Sequence, residues 1–108
     1  MVTGGCIGVD ALVARMAHGG RRRVHTVVPA DRSRVDPYWR KHCDTFEELD
    51  PGTTYSDRNE RIVELSDRLV AFPEYPEHHN LSRRSGTWMT VRIAGRAGKP
   101  VEVVTLNA

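Results

Sequence analysis

The sequence predicts an α/β domain: a three-layer, Rossmann-like parallel sheet of about four strands with helices on both faces. Three observations carry that prediction. Short β-branched runs alternate with longer segments of helical periodicity. Proline or glycine closes most of these runs. Each strand-to-helix junction is rich in glycine, serine, threonine or arginine, the residues found where a parallel sheet meets a ligand. At 108 residues the chain suits one domain, residues 1–108, around a single core.

Taken in order, residues 1–3 supply a strand stub. Val9, Leu12, Val13, Met16 and Ala17 fall at helical spacing, and Gly19-Gly20 is the expected left-handed stop. "VHTVV" (24–28) reads as a strand ended by Pro29. Residues 30–55 are rich in Asp, Pro and Arg and read as loop, with a short helix near 37–42 opened by Pro37. A capping box, Thr54 with Asp57 or Asp57 with Glu60, starts the next helix, whose apolar stripe is Ile62, Leu65 and Leu69, the last already entering a strand. "LVAF" (69–72) is that strand. After a polar loop, a helix from Gly86 is expected to bury Thr87, Thr90, Val91, Ala94 and Ala97, and "VEVVT" (101–105) closes the chain.

Composition narrows the function classes. Sixteen basic residues against 14 acidic ones give a formal charge of +2, too balanced to imply nucleic acid or a membrane surface. No apolar run approaches the ~20 residues that span a bilayer. Cys6 and Cys43 are far apart, which suits a reduced, cytoplasmic protein. His78-His79 lacks a second ligand pair, so surface loop histidines are expected, and nothing calls for a metal or cofactor. Arg21-Arg22-Arg23 reads as a solvated turn on the sheet edge away from the candidate site. Tyr38, Trp39 and Trp88 are candidates either for stacking on a base or for packing a loop, the latter being favoured for the first pair.

Three strand-to-helix turns carry the chemistry. "TGGCIGVD" (3–10) offers Gly4, Gly5 and Gly8 ahead of a helix N-terminus, with Asp10 inside it. It reads either as a phosphate cradle or as a tight turn with Asp10 satisfying helix N–H groups. Its spacing is neither a dinucleotide fingerprint nor a P-loop. "SDRNERIV" places Arg58 and Asn59 at a helix start, with the apolar stripe pointing elsewhere. Arginine there suits phosphate and asparagine suits a base or ribose edge, although for this stretch taken alone a plain capped helix with a surface arginine is the favoured reading. "RRSGT" brings Arg84, Ser85, Gly86 and Thr87 to a third helix start, again suited to an anion and without an acid.

"TGGCIGVDALVA", "RNERIVELSDRLVAFP" and "SGTWMTVRIAGRAGKPVEVV", in that order, resemble the SLOG superfamily. That group of Rossmann-like domains includes the DNA-processing protein DprA and the Lonely Guy phosphoribohydrolases, as well as small bacterial and phage members in which a GTW turn recurs. The resemblance implies a site for a nucleotide or nucleotide-derived molecule at the carboxyl edge of the sheet. By motif, the site would hold Thr3, Gly4, Gly5, Gly8, Asp10, Arg58, Asn59, Ser85, Gly86 and Thr87, and Arg84 would add charge. Lonely Guy enzymes carry a catalytic glutamate in PGGxGTxxE, and aligning Gly86-Thr87 on its GT leaves Thr90 there instead, which is no acid or base near neutral pH.

Binding, carrying or sequestering a phosphate-containing small molecule is therefore the leading expectation. N-glycosidic hydrolysis, with Asp10 or Glu60 as the acid, is the enzymatic alternative. DprA-like single-strand DNA binding and a ligand-free assembly module are the others. Relative to the family, the chain lacks the strand and helix that precede the "TGG" strand, and that strand lies centrally in the sheet. A start further upstream, direct pairing of the remaining strands, or a partner subunit in the gap would each answer this, and a homodimer or larger assembly is expected.

Overall fold

A computed structural model describes residues 1–5 and 9–107. The elements are β1 (Val2–Thr3), α1 (Val9–Gly19), β2 (His25–Val28), a 3₁₀ turn (Trp39–His42), β3 (Thr45–Glu48), α2 (Tyr55–Leu65), β4 (Leu69–Ala71), a 3₁₀ turn (Asn80–Ser82), α3 (Gly86–Arg96) and β5 (Val101–Val103). All strand pairs are parallel, as strand–helix alternation requires. They form two sheets, β1-β2-β3 and β4-β5. The parallel strands expected from the sequence thus fall into two sheets, divided between β1 and β4, beside the "TGG" strand where a gap was among the expectations.

β2 is the central strand of the first sheet, and Thr26, Val27 and Val28 are fully enclosed, which is why its sequence is a continuous β-branched run. β3 lies in the segment expected to be loop. "TFEE" is an edge strand with mostly exposed side chains, so it shows none of the apolar alternation by which strands are recognised. Its register places Glu47 opposite Val27.

α2 begins with a reciprocal capping box in which Thr54 Oγ1 accepts from Asp57 N–H and Asp57 accepts from Thr54 N–H. Val63 of α2, Ile93 and Ala94 of α3 and the flanking Leu69, Met89 and Val101 make the core beneath the second sheet.

Several expectations are corrected in detail. The left-handed residue after α1 is Arg21 (φ 62°), not a glycine. Leu12 and Met16 are 52% and 67% exposed, and among the described side chains of α1 the buried one is Ala14. On α3 the bulky Trp88 and Ile93 are buried with Ala94, whereas Ala97 is exposed, so the helix does not rest on a face of small residues. Trp88 donates from Nε1 to Tyr75 O at 2.9 Å. Trp39 is buried edge-on against Phe46, with ring centroids 4.9 Å apart. Both tryptophans therefore pin loops. His79 is likewise occupied, accepting from Leu81 N–H and stacking on Tyr75.

Candidate functional site

The order of strands creates the site. From β1 the chain steps outward to β2 and β3, then crosses back through α2 to β4 and steps the other way to β5. Right-handed crossovers in opposite directions put α1 on one face and α2 and α3 on the other. The reversal falls between β1 and β4, and parallel α/β sheets bind ligands at such a switch point. A cleft of about 870 Å³ opens there. Val2, Thr3 and Leu69–Ala71 of the two strands line it, with Val13 of α1 and Ile62 and Leu65 of α2.

At the carboxyl end of this cleft the structure brings together Thr3, Gly4, Asp10, Arg58, Asn59, Gly86 and Thr87. The three turns singled out in the sequence thus meet, the second of them through the first turns of α2. Arg58 Nη1 donates to Gly4 O at 2.9 Å, and its Nε donates to Asn59 Oδ1 at 2.9 Å. Asn59 Nδ2 donates onward to Gly86 O at a long 3.5 Å. Arg58 is 8% exposed and Asn59 2%. They are not the surface pair of an ordinary capped helix. They lie on the buried face with Ile62 and Val63, at helical spacing that the sequence displays. Gly4 is required by this arrangement, because a Cβ there would lie 2.7 Å from Arg58 Cζ.

Gly5 belongs to the scaffold. It has φ +70°, a Cβ there would press on Thr26, and its carbonyl accepts from Asp36 N–H at 2.8 Å. Ser85 caps α3, its Oγ accepting from Trp88 N–H at 3.2 Å. Neither Gly5 nor Ser85 lines the cleft, and Arg84 is exposed outside it. Gly8, and Cys6 beside it, lie outside the described residues.

Gly86 is different in kind. A Cβ there would meet nothing within 4 Å, so the fold does not demand glycine and the cleft wall is left bare. Thr87 lies beside it, and Thr90 lines the cleft one turn later, its Oγ1 donating to Gly86 O at 2.8 Å. Sequence reasoning named Thr90 as part of the helix's buried face and as the residue in place of an acid, not as part of the site. Asp10 is the carboxylate at this end of the cleft, and Glu60 is exposed elsewhere.

At the amino end, Arg22, Arg23, Asp67 and Arg68 line the same cleft. The basic run does lie at the far edge of the sheet, as expected, but the cleft extends to it. Over its whole length the cleft carries four arginines against two aspartates, which favours an anion.

No protein-family model matches the chain, and no curated protein sequence matches it. Among solved structures, the crystal structure of a "putative molybdenum carrier protein" from Syntrophus aciditrophicus SB is similar. It matches 97% of this chain with a TM-score of 0.75 at 23% identity. The chain is a Rossmann-like α/β domain. It spans 61% of the neighbour's length, and at this identity the likeness shows the fold alone. Among the described residues no group of three or more His, Cys, Asp or Glu is placed to hold a metal ion. No helix is long and apolar enough to cross a membrane.

Proposed function

We propose that the carboxyl end of the cleft binds, and so carries or senses, a small phosphate-containing molecule derived from a nucleotide. One observation carries this: the start of α3 at Gly86-Thr87, with no side chain on Gly86, lies beside the buried Arg58 and Asn59 at one end of a cleft that is positive overall. Helix N–H groups and their macrodipole favour an anion at Gly86. Arg58, locked to Gly4 O, supplies fixed positive potential without a conformational cost. Asp10 lines the same end and suits ribose hydroxyls. Membership of the SLOG superfamily is supported by the order of the three motifs and by the fold shared with the solved neighbour. That neighbour's name speaks of carrying a small species, which fits a binding role better than an assembly role. A homo-oligomer remains part of the proposal, with the exposed Leu12 and Met16 of α1 as its apolar surface. Sedimentation tests that part.

The test of binding is thermal unfolding against AMP, ADP-ribose, cyclic AMP, inorganic phosphate and molybdate, with Gly86→Ala alongside. A native-state ligand at a hundredfold excess over its dissociation constant adds about 2.7 kcal/mol of stability. A shift for one nucleotide class that Gly86→Ala abolishes supports the proposal. A shift for phosphate or molybdate alone reassigns the ligand to a bare oxyanion, and no shift at all overturns binding.

The hydrolase reading keeps one specific support, Asp10 at the carboxyl end of the cleft. Release of free base from AMP by the unaltered chain, lost in Asp10→Asn, is its signature.

A further inference from the structure

A second cavity lies against another face of α1. Val13 lines the cleft, whereas Leu12 and Arg15 line this cavity, together with Asp36, Tyr38 and His42. Leu12 and Arg15 are three residues apart and so share one face of the helix. The other three come from the segment that leads into and forms the first 3₁₀ turn. The cavity holds about 240 Å³. That is below the ~300–1,000 Å³ of a drug-sized pocket and limits an occupant to something of amino-acid size. None of its five lining residues lines the cleft, so the inference is independent of the ligand proposed there.

The wall opposite α1 is held in place by the fold. Asp36 N–H donates to Gly5 O at 2.8 Å, and Asp36 O accepts from Trp39 N–H at 3.1 Å. Asp36 Oδ1 accepts from Tyr38 N–H at 3.1 Å, which fixes the direction of the carboxylate and leaves Oδ2 without a bond. Trp39 is buried and anchors the turn, so its neighbour Tyr38 stands outward, 59% exposed, with the Lys41 ammonium 5.2 Å from its ring centroid.

The groups that the fold leaves unused here form a pattern. Arg15 and His42 have no hydrogen-bond or ion-pair partner among the described residues. Arg15 and Asp36 carry opposite charges and line one cavity, yet they are not paired with each other. Leu12 and Tyr38, both more than half exposed, line it with them. A guanidinium selects a carboxylate. A carboxylate oxygen selects an ammonium group. Exposed apolar side chains gathered at one place select an apolar group.

We propose that this cavity binds a free α-amino acid with an apolar side chain. The amino acid's carboxylate takes the Arg15 guanidinium, its ammonium group donates to Asp36 Oδ2, and its side chain lies between Leu12 and the Tyr38 ring. A molecule carrying only one of the two charges leaves Arg15 or Asp36 uncompensated, which is the basis of selection. Leu12 also belongs to the apolar surface offered above for self-association, so the test includes dilution of the protein.

The experiment follows the backbone amides of the isotope-labelled chain by NMR during titration with leucine, phenylalanine, glycine, leucinamide and N-acetyl-leucine, at two protein concentrations. Leucine and phenylalanine should give saturable shifts at Leu12, Arg15 and Tyr38. Leucinamide lacks the carboxylate, N-acetyl-leucine lacks the ammonium group and glycine lacks the side chain, so each should bind roughly tenfold more weakly or worse. In Arg15→Gln the affinity for leucine should fall to that for leucinamide, with leucinamide itself unchanged. In Asp36→Asn it should fall to that for N-acetyl-leucine, again with the latter unchanged. Asparagine keeps the oxygen that accepts from Tyr38 N–H, and Arg15 is exposed, so both variants should fold. The absence of saturable shifts with either apolar amino acid overturns the proposal. So does equal binding of leucine, leucinamide and N-acetyl-leucine. Shifts that follow protein concentration and not ligand assign the cavity to a contact between copies, and also overturn it.

Discussion

The first and third strand-to-helix turns look alike in sequence, each placing glycine and threonine ahead of a helix, yet the molecule uses them in opposite ways. In the first turn both described glycines serve the fold. Gly4 is bare so that the Arg58 guanidinium fits against it, its carbonyl receives Nη1, and Gly5 takes the left-handed conformation that lets its carbonyl meet Asp36. In the third turn Ser85 caps α3, while Gly86 has open space around it. One side of the candidate site is scaffold, and the other is a surface whose chemistry the fold does not require. A glycine demanded by packing says little about a ligand, whereas Gly86 is open, like Gly19 and Gly95, but alone of these three lines the cleft.

The largest effect expected from breaking this contrast is at Gly4. In Gly4→Ala the new methyl displaces Arg58, which gives up its bonds to Gly4 O and Asn59 Oδ1 while remaining in a buried position. Losing hydrogen bonds to a charged group costs about 2–3 kcal/mol. Urea unfolding should show a loss of that order, and a cost below about 0.5 kcal/mol would mean that Arg58 is not held as described.

Next in size is Ser85→Ala. Removing the hydroxyl that accepts from Trp88 N–H should cost about 1 kcal/mol. Because Ser85 lies outside the cleft, ligand affinity should change little once the loss of stability is allowed for. A large selective loss of binding would move Ser85 into the site.

Legibility in the sequence followed the same division. β2 was readable because burial on both faces writes itself as "VHTVV", and β4 because "LVAF" is an apolar run stopped by proline, although Val70 is exposed. β3 was not, since an edge strand of exposed Thr45, Phe46 and Glu48 has no apolar pattern to show. The meeting of the three turns was readable from strand–helix alternation. The burial of Arg58 and Asn59 was missed although its signal was present, because they share a helical face with Ile62 and Val63. Charged residues are expected outside, and that prior outweighed the periodicity. The division of the sheet could not be read from local pattern, since it depends on how far apart two strands distant in sequence come to rest.

Gly86→Ala tests the other half of the contrast, with a smaller effect on folding and of opposite sign. Gly86 is the first residue of α3, and an added Cβ meets nothing within 4 Å. Alanine should leave stability unchanged or raise it by about 0.4–1 kcal/mol through the unfolded chain. The same methyl stands where the anion would approach, so the ligand-induced rise in melting temperature should shrink or vanish. A stabilised variant that still binds fully would place the ligand away from α3.

The smallest effect concerns how α2 is held to the first sheet. Arg61 on α2 donates from Nε to Glu47 Oε1 on β3 at 2.6 Å and from Nη2 to Oε2 at 3.2 Å. The Arg61 hydrogen bond holds the Glu47 carboxyl below its usual range; burial pushes the other way, and the Arg61 charge adds a lesser lowering. A carboxylate with a depressed folded-state pKa stabilises fully above its unfolded value, and the contribution is lost as pH falls through the folded value. Stability of the unaltered chain should therefore decline with acid below the ordinary carboxylate range, and Glu47→Gln should flatten that decline because it gives up the same small contribution at neutral pH. The pair is partly solvated, so salt should weaken the effect. If Glu47→Gln and the unaltered chain follow parallel acid-unfolding curves, α2 is held to its sheet by Arg58 at the first turn and by apolar packing, and the ion pair at β3 contributes nothing measurable.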